Sequence, residues 1–379
     1  MNLTYEYRLY VRRNERALLE RLLKEHRQVY NAALSQIKTD YEVGGERQTA
    51  LSQWPYFREW RKQEGMLSNA SSIQQTLRRL DKAFSAFFRR VKAGETPGYP
   101  RFKGANRFDS VEYTYGDGVS LYYDEALDRF LLHVQNVGEI KVKVHRLLPD
   151  GAKIKHVVLK RKATGWYVFL MLVVPDPLPV EPSGLPQVGV DMGLLRLLTL
   201  SDGTQIDNPR WLRASLAELR RAQRRLARAM KGGQNRRDRR LILAKLHEHI
   251  ANIRKDFWHK VTYVLVHTYG LVALEQLDLA FMTRNAHLSL SAHDAGLGMF
   301  DDLLCFKAVD AGCAVVHVNP RNTSQRCSGC GELVPKVLSV RVHSCPHCYL
   351  ELDRDVNAAI NILALALQSP PGSGGQALT

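Results

Sequence analysis

No run of about 18 apolar residues occurs in this chain, so the sequence offers no membrane span. The N-terminus, Met1-Asn-Leu-Thr-Tyr-Glu-Tyr7, lacks a basic segment leading into an apolar stretch. The expectation is therefore a chain without a secretory signal, acting in the cytoplasm. Cysteine is scarce, with 6 in 379 residues. In a chain with no secretion signal, paired cysteines favour metal over disulfides. Internal repeats are absent. Acidic residues are in deficit, 38 against 54 Lys and Arg, which leaves a net charge of +16.

The apolar content, 45%, is that of an ordinary globular protein, and the length suits two or three domains. The positive charge is concentrated. Between Arg210 and Lys260 sixteen Lys and Arg face four Asp and Glu, so this segment carries most of the excess. Such a cluster predicts a polyanionic partner, nucleic acid above all. A membrane surface is disfavoured because the segment lacks an apolar face of Trp, Phe and Leu.

Residues 3–11 alternate as a strand, and Asn14 is read as the cap of a helix with Leu18, Leu22, Val29, Ala33 and Ile37 on one face. A looser stretch with Gly44-Gly45 and Trp54-Pro55 follows. A second amphipathic helix is expected over 71–92, apolar at Ile73, Leu77, Leu80 and Phe84. From Val111 to Val174 the pattern turns to strands, with a hairpin turn at Lys162-Ala-Thr-Gly165. Short strands at this spacing suggest a β-barrel or sandwich, which the first strand could join. The proline-rich 175–186 stretch reads as a linker. Beyond it the pattern is α/β: strand-like runs in 187–200, helices over 211–231 and 239–264 joined by a turn at Lys231-Gly-Gly-Gln-Asn235, strands at 271–274 and 314–318, and a helix over 292–311 between those strands. The tail 368–379 is expected to be disordered.

Three segments carry carboxylates where apolar runs end. Asp191 follows Val188-Gly-Val190, Glu275 closes Leu271-Val-Ala-Leu274, and Asp353 and Asp355 open a helix over 356–367. Taken singly, each is an ordinary strand end or N-cap. Together they can converge on one sheet edge, and clustered carboxylates repel unless cations hold them. Hard oxygen ligands suit Mg2+ or Mn2+, and two such ions can hydrolyse a phosphodiester. Asn357 and Asn361, four apart, share a helix face just beyond the aspartates; packing against a metal site or substrate explains them better than solvent does. Cys327-x2-Cys330-x14-Cys345-x2-Cys348 is the spacing of a zinc ribbon with four sulfur ligands and no open position, hence a structural site. His343 and His347 flank it and could touch phosphate. Cys305 and Cys313 are read as small buried hydrophobes.

Gly189-Val-Asp191-Met-Gly193, Leu274-Glu275, Thr323-Ser-Gln-Arg-Cys327-Ser-Gly-Cys330, Cys345-Pro-His-Cys348 and Asp353-Arg-Asp-Val-Asn-Ala-Ala resemble the TnpB family. These are transposon-encoded, RNA-guided RuvC-like nucleases similar to the presumed ancestors of type V CRISPR effectors. The resemblance spans nearly the whole chain, including Gly98-Tyr-Pro-Arg-Phe-Lys103 and Leu288-Ser-Leu-Ser-x-x-Asp294-Ala-Gly296.

It implies a multidomain α+β and α/β protein. An N-terminal β-barrel (wedge) over 1–12 and 95–178 would carry an inserted helical recognition domain over 13–94. An RNase H-like RuvC domain over 187–323 and 351–367 would carry an inserted zinc ribbon over 324–350. Asp191, Glu275 and Asp355 would be the catalytic, Mg2+- or Mn2+-binding triad, with Asp355 favoured over Asp353 because it directly precedes Val-Asn-Ala-Ala. Cys327, Cys330, Cys345 and Cys348 would hold structural Zn2+. Arg101, Lys103, Arg224, Arg225, Arg228, Arg236, Arg237, Arg239 and Arg240 would contact nucleic acid, the last seven along guide RNA or its heteroduplex. Gln74 would lie where the family reads a short DNA motif beside the target. The implied activity is RNA-guided cleavage of double-stranded DNA by a monomer with its guide RNA, needing neither membrane nor small-molecule cofactor. The competing readings are an RNA-guided repressor that has lost cleavage, or a transposase or junction resolvase on a related core.

Overall fold

The computed structural model describes residues 1–46, 48–175, 184–277, 279–337 and 339–368. The chain divides into two compact units at Asp176/Pro177. Residues 176–183 and 369–379, which hold most of the proline-rich stretch and the tail, lie outside the described residues.

The first unit opens with β1 (Asn2–Tyr10), whose Leu3, Tyr5, Tyr7 and Leu9 alternate inward, as the two-residue period of a half-buried strand requires. Three helices follow: α1 (Arg13–Glu42), α2 (Ala50–Gln63) and α3 (Ala70–Lys92). Then come β2 (Ser110–Thr114), β3 (Val119–Asp124), β4 (Arg129–Val134), β5 (Gly138–Lys143), β6 (Lys153–Lys162) and β7 (Gly165–Val173). All seven strands form one antiparallel sheet in the order β2-β6-β7-β1-β5-β4-β3. It is a curled sheet, and among the described residues no ladder joins its edges β2 and β3. One apolar core joins the sheet to Leu22, Val29 and Ala33 of α1 and to Ile73, Leu77 and Leu80 of α3.

Two local readings are corrected. α1 begins at Arg13, so Asn14 lies inside its first turn; the Glu15 carboxylate accepts from the Arg12 N–H at 2.7 Å and sets the start. The stretch around Trp54-Pro55 is helical. Thr49 caps α2 by accepting from the Ser52 N–H, Phe57 is wholly buried, and Gln53 donates to the Ala33 carbonyl at 3.0 Å. Pro55 forgoes one helical hydrogen bond, which these anchors offset.

The second unit begins with β8 (Gln187–Met192), β9 (Arg196–Leu200) and β10 (Gln205–Asp207), followed by α4 (Trp211–Ala227) and α5 (Gln234–Thr268). It continues through β11 (Leu271–Glu275), α6 (Leu279–Arg284), α7 (Ser289–Ala295), α8 (Leu297–Ala311) and β12 (Ala314–Val318). Last come β13 (Val342–Ser344), β14 (Glu351–Asp353) and α9 (Arg354–Gln368). The main sheet runs β10-β9-β8-β11-β12. Its first three strands are antiparallel, whereas β8, β11 and β12 are parallel, so crossovers must cover its faces. On one face Val188, Val190, Val272 and Leu274 pack with Leu297, Phe300 and Leu304 of α8 and Trp258 of α5. On the other, Ala273 and Val318 pack with Ile362 and Ala366 of α9.

The helix expected over 292–311 is broken at Gly296, whose left-handed φ of 67° separates α7 from α8. Trp258 Nε1 donates to the Ala295 carbonyl at 2.9 Å, and the buried Asp294 accepts from the N–H groups of Leu212 and Arg213, satisfying the first turn of α4. The Asp294-Ala-Gly296 segment thus has a structural duty. None of the described helices is long and apolar enough to cross a membrane.

Candidate functional site

β8 and β11 are parallel, with Val188 opposite Val272 and Val190 opposite Leu274. The next positions are Asp191 and Glu275. Because Val190 and Leu274 face α8, the two-residue period turns both carboxylates toward the face covered by α9. Asp355 stands in the first turn of α9. One sheet register and one helix start therefore direct three carboxylates toward each other, from positions 84 and 80 residues apart in sequence.

The approach of α9 to β8 is set by Gly189. A Cβ there would meet the Ala359 carbonyl oxygen at 2.0 Å and the Leu363 amide nitrogen at 2.8 Å. Any side chain would hold the helix off the strand.

The electrostatics carry the mark of crowded anions. Burial, then the charges of Glu275 and Asp355, push the Asp191 carboxyl up to about 8, against the opposing pull of Arg354. Burial also raises Glu275, offset by the Thr323 hydroxyl, which donates to its Oε1. Among the described residues neither the Asp191 nor the Asp355 carboxylate accepts a protein hydrogen bond or forms an ion pair, and the oxygens of the three do not gather within 4.8 Å of one another. Two unpartnered carboxylates beside Glu275, mutually repelling hard oxygens, are a donor set that fits a divalent cation such as Mg2+ or Mn2+.

Asp353 sits differently. Its Oδ1 accepts from the Asp355 N–H at 2.8 Å and its Oδ2 accepts from Arg196 Nη1 at 2.8 Å. It is the N-cap of α9, tied to β9, and these bonds hold its carboxyl below the usual range.

The four cysteines come together. Cys327 and Cys348 Sγ are 3.5 Å apart, Cys330 and Cys345 Sγ are 3.6 Å apart, and all four lie within 4.8 Å of one another. A tetrahedral zinc with Zn–S near 2.3 Å needs sulfurs about 3.8 Å apart, so the cluster fits a structural zinc. The two knuckles are near copies. Gly331 N–H bonds to the Cys327 carbonyl and Tyr349 N–H to the Cys345 carbonyl, at 2.9 and 3.0 Å. Both Gly331 and Tyr349 are left-handed, with φ of 82° and 61°. His343 is wholly buried against Lys336 and so faces no phosphate; His347 is exposed.

Helix α9 also holds the first knuckle. Asn357 Oδ1 accepts from the Ser328 N–H (2.9 Å) and its Nδ2 donates to the Arg326 carbonyl (2.8 Å). Asn361 Nδ2 donates to the carbonyls of Thr323 (2.9 Å) and Arg326 (2.7 Å). These buried asparagines grip backbone. The supporting roles of Thr323, Arg196 and Gly189 went unseen in the sequence, although Thr323 and Gly189 stand in the quoted motifs.

On the α4–α5 pair, Arg224, Arg225, Arg228, Arg237 and Arg240 are exposed. Arg236 donates to the Leu226 and Ala229 carbonyls and Arg239 to the Arg225 carbonyl. These two close the turn between the helices, which leaves them less free for phosphate. α5 starts at Gln234, so this basic run lies within a helix. In the first unit Arg101 is exposed and Gln74 half-exposed, while the Lys103 ammonium lies over the Tyr30 ring at 5.8 Å.

The family model OrfB_IS605, described as "Probable transposase", matches residues 169–286, and "Cas12f1-like, TNB domain" matches residues 298–362, which hold the cysteines and most of α9. A third, "Helix-turn-helix domain", matches residues 1–46, which here are one strand and one 30-residue helix. A Streptomyces pristinaespiralis protein named "Putative RNA-guided DNA endonuclease" is 33% identical, covering 96% of this chain and 89% of that one. An Escherichia coli K12 protein, "Putative RNA-guided DNA endonuclease InsQ", is 30% identical over 89% and 85%. Among solved structures, "Cryo-EM structure of the Cas12f1-sgRNA-target DNA complex" matches with a TM-score of 0.57 at 16% identity, covering 92% of this chain and 82% of that one. "Structure of the mini-RNA-guided endonuclease CRISPR-Cas_phi3" matches with a TM-score of 0.58 at 9% identity, over 99% and 94%; both show a shared fold. With relatives this similar over nearly its full length, the chain belongs to the TnpB family, OrfB of the IS605 transposons.

Proposed function

We propose that this chain is an RNA-guided DNA endonuclease that cleaves target DNA beside a short adjacent motif, and that Asp191, Glu275 and Asp355 are its catalytic carboxylates. The observation that carries this reading is the convergence of those three groups, with the Asp191 carboxyl pushed up to about 8 by burial and by the other two. In it Asp191, Glu275 and Asp355 hold Mg2+ or Mn2+. When bound, such ions activate a water and neutralise charge developing on the phosphodiester oxygens. Thr323 positions Glu275, and Asp353 orients α9 as its cap.

The exposed arginines of α4 and α5 follow the backbone of guide RNA or heteroduplex, with base pairing rather than side chains reading the sequence. Arg101, Lys103 and Gln74 belong to the proposed nucleic-acid surface of the first unit. The proposed layout is a wedge (1–12, 95–178), a recognition domain (13–94), a RuvC-like domain on an RNase H-like core (187–323, 351–367) and a zinc ribbon (324–350). The protein acts in the cytoplasm as a monomer with its RNA.

The test is to purify the chain from cells carrying its native locus and to sequence any RNA that accompanies it. DNA matching the 3′ end of that RNA is then offered with Mg2+, alongside the Asp191→Ala variant. We expect cleavage that needs the RNA and is lost in the variant. Cleavage without RNA returns the transposase or resolvase reading; RNA-directed binding without any cleavage returns the repressor.

A further inference from the structure

Cys305 is not the buried hydrophobe that its sequence context suggests. It is half-exposed on α8, one helical turn after Asp301, and i,i+4 spacing puts both on one face. Its Sγ points at Asp301 Oδ1, 3.6 Å away. His317 completes the group from β12. It sits opposite Leu274 in the parallel register, on the sheet face that α8 covers, and its Nε2 is 2.8 Å from the same Asp301 oxygen. The ligand atoms of all three lie within 4.8 Å of one another, and all three residues are half-exposed.

We infer that Asp301, Cys305 and His317 form a second zinc site, separate from the cysteine cluster and on the opposite sheet face from the three carboxylates. The spacing suits tetrahedral coordination. Bond lengths of about 2.3 Å to sulfur and 2.0 Å to nitrogen or oxygen separate sulfur from oxygen by about 3.5 Å and nitrogen from oxygen by about 3.3 Å. The sulfur is already there, and the imidazole needs to move about 0.5 Å as the ion replaces the proton now shared with Asp301.

A thiolate, an imidazole and a carboxylate together select zinc over Mg2+ or Ca2+, which prefer all-oxygen sites. An imidazole–carboxylate pair accounts for two of the three groups, and the thiol adds only a long, weak donation to the same Asp301 oxygen. Without metal the thiol keeps its proton and donates it to Asp301; a bound cation would take the thiolate in its place. Binding releases its proton to solvent. Three protein ligands leave one position for water, and the half-exposed site gives it access. Bound zinc would staple α8 to the edge strand β12.

The inference is independent of nuclease activity, and so is its test. The full chain, purified with its cysteine-cluster zinc retained, is titrated with Co2+ as the probe. We expect one further equivalent to bind with a near-ultraviolet thiolate-to-cobalt absorption, which oxygen ligation at Asp191, Glu275 and Asp355 does not produce. Cys305→Ser should abolish the band, and His317→Gln should weaken binding by at least the roughly tenfold that losing even a hydrogen-bond partner of a ligand costs. With zinc, elemental analysis should read two ions per wild-type chain and one per Cys305→Ser chain. Thermal melting checks that both variants are folded, and His317→Gln carries the test should Cys305→Ser not fold. No band in the wild type, or a band that survives Cys305→Ser, overturns the site.

Discussion

Gly189→Ala is the sharpest perturbation available, because it adds one methyl group and no charge. The new Cβ would lie 2.0 Å from the Ala359 carbonyl oxygen and under 3 Å from two atoms of Leu363. The obstacles include helix backbone, so no rotamer change relieves them. Restoring ordinary contact of about 3.4 Å requires α9 to retreat by roughly 1.4 Å. Overpacking of this kind costs about 1–3 kcal/mol, which lowers Tm by about 2–12 °C in a unit of some 200 residues. The larger effect is on geometry. Asp355 moves with α9, away from Asp191 and Glu275, and if these are the catalytic carboxylates proposed above, a displacement near 1 Å should cost about 10²-fold in rate. The assay pairs differential scanning calorimetry with single-turnover cleavage by the RNA-loaded protein. Gly184→Ala, where a Cβ meets nothing within 4 Å, is the control and should change neither readout. If Gly189→Ala matches wild type in both, α9 is not held where it is by that contact, and the geometric reasoning fails.

Asp353 and Asp355 should separate cleanly. Asp355→Asn should abolish cleavage with Tm within a few degrees of wild type, whereas Asp353→Ala should lose about 1 kcal/mol through its cap and retain measurable cleavage; equal loss of activity in both would refute the division. Asp191 predicts a pH dependence. Its folded pKa is raised above the unfolded value, so without added divalent ions its contribution to stability falls as pH rises from about 4 to about 8. Asp191→Asn should therefore stabilise the protein at pH 8 and much less at pH 5, by urea denaturation without added Mg2+; a gain independent of pH would contradict this. Cys345→Ser should release the cysteine-cluster zinc on dialysis and destabilise the second unit, and retention of that zinc by the variant would exclude the four-sulfur site.

The grouping of the candidate residues was legible because they lie in short, punctuated segments. The apolar runs ending at Asp191 and Glu275 announce neighbouring strand ends, and paired Cys-x-x-Cys units announce a knuckle whose geometry is local. Asn357 and Asn361 were recognisable as anomalies on an apolar helix, yet their partners were not. A side chain that grips the carbonyls of residues 323 and 326 leaves no periodicity to read. Arg236 and Arg239 show the same limit in reverse: in sequence they are indistinguishable from Arg237 and Arg240, and only the path of the α4–α5 turn gives them carbonyls to cap. The helix break at Gly296 escaped notice because one glycine in an apolar pattern is usually tolerated. Helix α2 escaped because Pro55 reads as a breaker while the burial of Phe57, a tertiary effect, outweighs it.

The hydrogen bonds from Asn357 and Asn361 to the first knuckle have a practical consequence for metal assays. Glu275 is held by Thr323, whose carbonyl is held by Asn361, which stands on the helix that carries Asp355. With zinc held by the cysteines, its removal should loosen residues 323–328 and, through them, two of the three carboxylates. A strong chelator should then abolish the proposed cleavage even if zinc takes no part in bond breaking. Loss of activity on chelation would therefore report on the scaffold as much as on the proposed catalytic ions, and the two are told apart only by restoring zinc and Mg2+ separately and in both orders.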